Sequence, residues 1–129
     1  MEDVMVRISI LWIFAAVTML VHYALLFFEP DVLQKTGASA DATARLAIVE
    51  TFANWLIPLT MAFLSVTLES LANRYLNMVL GGLYVLLSIF HVAKCPIIHI
   101  SNKPSIHQLL VGISTVVVTA LIFWYAWTW

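Results

Sequence analysis

Leu46 to Leu68, LAIVETFANWLIPLTMAFLSVTL, is long and apolar enough to cross a bilayer, yet it carries Glu50, Asn54 and Pro58 inside the run. Positions four apart on a helix share a face, so Glu50 and Asn54 point the same way. Pro58 has no amide hydrogen and its ring collides with the carbonyl four residues earlier. It therefore deprives the Asn54 carbonyl of its helical partner and predicts a kink. A side-chain carboxylate at the centre of a membrane helix costs about 2.5 to 3.5 kcal/mol on insertion scales, so Glu50 is expected to face protein or a wet cavity rather than lipid.

The rest of the chain reads as a wall around this segment. Of 129 residues, 63% are hydrophobic and only 10% charged, with a mean hydropathy of +0.99, whereas soluble proteins carry about 25% charged residues. Besides Leu46 to Leu68, three stretches have the length of a span: Ile8 to Phe28, Tyr75 to Ala93 and Ile106 to Trp127. The expected fold is all-α, a polytopic membrane protein built as an antiparallel four-transmembrane-helix bundle in a single domain, residues 1–129. The first apolar run is longer than the hydrophobic part of a signal peptide, and no small-residue cleavage site follows it at Phe27 to Pro30, so it is read as a retained helix.

Composition also excludes classes of function. A net charge of −1 supplies no basic patch, which argues against a nucleic-acid partner. The single cysteine, Cys95, cannot close an intramolecular disulfide, and no zinc spacing is present. Phosphate-binding glycine loops, nucleophile elbows and HExxH are missing as well, so catalysis has no positive signal.

Each span shows a small or polar seam of the kind that lets membrane helices approach and hydrogen-bond. On the first it is Ala15, Thr18 and His22, with Trp12 and the Phe27-Phe28 pair expected at the two interfaces. The third carries Asn77, Gly81, Tyr84, Ser88, His91 and Cys95 in alternating steps of four and three, which keep one face of a left-handed bundle. On the fourth, Gln108, Gly112, Thr115 and Thr119 precede a belt of Trp124, Tyr125, Trp127 and Trp129. The tight link Glu69 to Arg74 makes the second and third spans antiparallel neighbours. In the long connection, Pro30 and Gly37 can bound a short helix and Asp41 can cap the second span; Cys95-Pro96 and Lys103-Pro104 bound the other loop, and Ser105 can cap the fourth span.

With four spans, both long loops fall on one side, and His22, Glu50, Asn54, His91 and His107 gather in that half of the membrane. The candidate ligand-binding or proton-handling set is Glu50, Asn54, His22, His91 and Tyr84, with Pro58 as the kink and no metal site. An apolar cavity with a few converging polar groups suits a small or lipidic ligand, bound or sensed, and this is the leading expectation. Proton-coupled small-molecule transport is the second, since carboxylates and imidazoles form proton relays, and so small a chain would then work as a homo-oligomer. A third is non-covalent b-type haem held axially by His22 and His91; without CxxCH there is no covalent attachment. Lys35, Arg45, Lys94 and Lys103 flank the long-loop side against Arg7 and Arg74 on the other, which places the long loops in the cytoplasm.

Leu11-Trp12-Ile13-Phe14, Pro58-Leu59-Thr60-Met61, Ala72-Asn73-Arg74-Tyr75-Leu76-Asn77 and Phe123-Trp124-Tyr125-Ala126-Trp127 resemble an uncharacterised family of small four-helix prokaryotic integral membrane proteins. The resemblance covers nearly the whole chain. It implies the fold and a multi-pass location in a prokaryotic cytoplasmic membrane, and no activity. Acidic residues are frequent in that pattern near positions 23 and 56, where this chain has Tyr23 and Leu56.

Overall fold

An apolar run without glycine or proline in its interior has no reason to leave the helix, and the longest such run forms the first element. In the computed structural model, residues 2–27, 52–98 and 106–129 are described, with side chains except at positions 2, 23, 26, 27, 52, 91, 94–98 and 106–108. Among the described residues there are four α-helices and no strand: α1, Glu2–Phe27; α2, Ile57–Thr67; α3, Ser70–Ile98; and α4, Ile106–Thr128. A π-helical segment, Phe52–Leu56, leads into α2. The features expected at Pro30, Gly37, Asp41, Glu50 and Ser105 lie outside the described residues.

Among the described residues two helices are long and apolar enough to cross a membrane: α1 over Asp3–His22 and α4 over Leu109–Thr128. The π segment and α2 contribute a shorter apolar helix, Ala53–Thr67. Boundaries depart from the hydropathy reading in a consistent way. Helices α1 and α3 start earlier than Ile8 and Tyr75, because a helix continues through polar residues wherever its amides are served and its side chains find partners. At its other end α3 runs past Cys95-Pro96 to Ile98 instead of stopping at Ala93.

Contacts fix the directions. Arg74 donates to the Trp127 carbonyl at 3.1 Å, Gly81 lies against Ile122 and Gly112 against Val92, so α3 and α4 are antiparallel. Asn73 pairs with Ser65 and Tyr84 with Ala53, so α2 also runs opposite to α3. Helix α1 packs closely on α2 and on α4, while α2 and α3, antiparallel as the tight link predicts, approach each other sparsely. No Cα of α1 comes within 8 Å of α3 among the described residues, and side chains, Trp12 above all, fill that diagonal.

Apolar and polar residues are distributed opposite to the habit of a water-soluble bundle. Large hydrophobic side chains line the outside, among them Phe63, Leu71, Leu86 and Leu110. The interior holds Ser65, Asn73, Asn77, Ser88, Thr115 and Thr119 beside Ile8, Trp12, Met61 and Ile122. Hydroxyls turn inward on their own helices: Thr18, Ser65, Thr67, Ser114, Thr115, Thr119 and Thr128 each donate to the carbonyl four residues back. That is how a hydroxyl is satisfied where water is scarce. Of the expected seam residues, Ala15, His22, Asn77, Gly81, Ser88, Gly112, Thr115 and Thr119 are buried and Thr18 and Tyr84 half-buried, while the side chains of His91, Cys95 and Gln108 lie outside the described residues.

Candidate functional site

Two polar clusters occupy the interior at different levels. The first lies beside the link between α2 and α3. Trp12 Nε1 donates to Asn77 Oδ1 at 2.6 Å, Asn73 Nδ2 donates to the Ser65 carbonyl at 2.7 Å, and Asn77 Nδ2 donates to the Asn73 carbonyl at 3.0 Å. The single Ser65 hydroxyl proton has two acceptors in reach, the Met61 carbonyl at 2.6 Å and Asn77 Oδ1 at 3.1 Å, and the shorter bond takes the larger share of it. Trp12, Ser65, Asn73 and Asn77 are fully buried. Groups so completely paired have nothing to offer a ligand, so this cluster is a clamp across α1, α2 and α3.

The clamp was only half legible. Asn77 belongs to the expected α3 seam, but Trp12, expected at an interface, is fully buried in the core against Asn77 and Tyr84. Ser65 and Asn73 were not singled out. A signal existed: Asn73 is four residues before Asn77 and extends the same helical face, once the helix is allowed to start before Tyr75.

The second cluster surrounds the break ahead of Pro58, which is buried. In the π pattern each carbonyl pairs with the amide five residues on, and for Ala53 that residue is Pro58, which has none. In the α pattern the same proline fails Asn54. The expected kink is thus a widened turn that gives the ring room, and it shifts one orphaned carbonyl to Ala53. Tyr84 on α3 reaches across and donates its hydroxyl to that carbonyl. Its ring stands edge-on to Trp12, with centroids 5.3 Å apart and planes at 89°, so the clamp braces the tyrosine. Beside it, Asn54 is half-buried, and the buried Trp55 Nε1 finds no hydrogen-bond partner among the described residues.

The chain matches no family model, no curated protein and no solved structure.

Of the expected site residues, Tyr84 and the segment carrying Asn54 are brought together, and Pro58 lies at the start of α2. His22 is buried on α1, at 6% exposure. Glu50 and the side chains of His91 and His107 lie outside the described residues. One turn before His22, Met19 joins Ser88, Val111, Gly112 and Thr115 around a cleft of about 10 Å³, roughly the room one water needs. No group of three or more His, Cys, Asp or Glu that could hold a metal occurs among the described residues.

Proposed function

We propose that the protein is a multi-pass integral membrane protein of four spans that binds or senses a small or lipidic ligand in the half of the bundle ahead of Pro58. His22, Asn54 and Tyr84 would supply its polar contacts, with Glu50 and His91 as the remaining members of the set. The observation that carries this reading is the π-helical turn at Phe52–Leu56 ahead of Pro58, whose Ala53 carbonyl accepts a hydrogen bond from a side chain on another helix. Irregular backbone is tolerated at membrane depth only where protein buries it or where it lines a cavity, and interrupted helices are recurrent places for intramembrane binding. The apolar exterior and polar interior support the membrane assignment.

The test is mass spectrometry of small molecules and lipids retained by protein purified in a mild detergent. A retained species should be present in the parent and depleted in His22→Ala, Asn54→Ala and Glu50→Gln. Equal retention in all of them removes the pocket, and a haem absorption band in the parent would replace this reading with a cytochrome.

A further inference from the structure

We infer that the Tyr84 hydroxyl stands in for the amide that Pro58 lacks, forming a catch that holds the helix break against α3 and whose release parts the break from α3. Three observations meet here. The carbonyl left without an amide by the π pattern is that of Ala53, and it is the one that Tyr84 serves. No Cα of the π segment lies within 8 Å of α3 among the described residues, so close backbone packing does not hold the two together. At the other end, α2 is fixed to α3 by the bond from Asn73 to Ser65 and by the Asn77 pairings. The π segment, which also touches α1, is thus joined at Pro58 to a helix whose bonds to α3 lie only near the link. Proline sites and π turns are where helices bend. The catch belongs to the break itself and holds whether or not the neighbouring site takes a ligand.

The experiment places spin labels on Leu56→Cys and Leu87→Cys, both exposed positions, one on each side of the gap. A Cys95→Ser full-length chain in lipid nanodiscs is the background. Tyr84→Phe keeps the ring against Trp12 and removes only the donor, so the distance distribution should lengthen and broaden. Adding Pro58→Ala restores an amide at position 58 and should return the distribution to that of the parent. An unchanged distribution in Tyr84→Phe overturns the inference, as does a shift that Pro58→Ala leaves undiminished. Should Tyr84→Phe fail to give folded protein, the same logic is read in yield: recovery by Pro58→Ala supports the catch, and failure of both refutes it.

Discussion

Asn77 serves two helices besides its own, accepting from Trp12 on α1 and lying within reach of Ser65 on α2, while it donates back to Asn73. A side chain so placed is costly to remove, because its former partners stay buried. Asn77→Ala should lower stability by about 1 to 3 kcal/mol, the range for leaving buried polar groups unpaired. The low end of that range is favoured, because interhelical hydrogen bonds in bacteriorhodopsin average about 0.6 kcal/mol. Denaturation in mixed detergent micelles reads this directly, and a midpoint equal to the parent's would refute the clamp. Trp12→Phe removes the donor that Asn77 serves. The double variant should therefore lose less than the two single losses added together, as contacting residues do, and strict additivity would mean that the two act separately.

Elements were the most legible part of the molecule, and their ends the least. Hydropathy locates α1 and α4 because nothing in them competes with burial or lipid, and Pro58 announces trouble in its segment. It cannot announce a π turn, since the choice between widening and kinking depends on whether another helix can serve the orphaned carbonyl, and Tyr84 is distant in sequence. The start of α3 was hidden for a related reason: Asn73 looks like a loop residue until the Ser65 carbonyl is placed opposite it. Small residues carried clearer information. A Cβ built at Gly112 would fall 2.6 Å from Val92 Cγ2, and one at Gly81 would fall 3.2 Å from both Ile122 Cγ2 and the Phe123 backbone nitrogen. Gly112→Ala should therefore push α3 and α4 apart and cost about 1 to 3 kcal/mol, the usual penalty of overpacking. Valine in a helix has essentially one rotamer and cannot swing away cheaply. Val92→Ala in the same chain should recover part of the loss, and absence of any recovery would show that the contact is not what limits the approach.

At the scale of the whole molecule, the outward Phe63, Leu71, Leu86, Leu87, Phe90 and Leu110 form far more apolar surface than water tolerates on a monomer, with a polar seam buried beneath it. The proposed four-span membrane reading accounts for both facts, and the helix directions then set the topology it predicts. The start of α1, the link at Glu69 and the end of α4 fall at one end of the bundle: Ser9 bonds to Ala62 and Trp12 to Asn77 while Met19 lies beside Ser88, Asn73 bonds to Ser65, and Arg74 to Trp127. Single cysteines at Asp3, Glu69 and Thr128, all exposed, should thus react together with a membrane-impermeant maleimide in a Cys95→Ser background. The charge distribution adds the side. In the sequence, Lys35 and Arg45 fall between α1 and the π segment, Lys94 late in α3 and Lys103 between α3 and α4, against Arg7 and Arg74 near the other helix ends. On the proposed four-span reading the positive-inside rule therefore predicts that the three labelled positions face outward. Labelling of all three in intact cells is the expected result. Protection of all three until the cells are opened would keep the four spans and reverse the orientation, whereas reaction of Asp3 and Thr128 with Glu69 protected would mean that α2 and α3 do not cross as a pair.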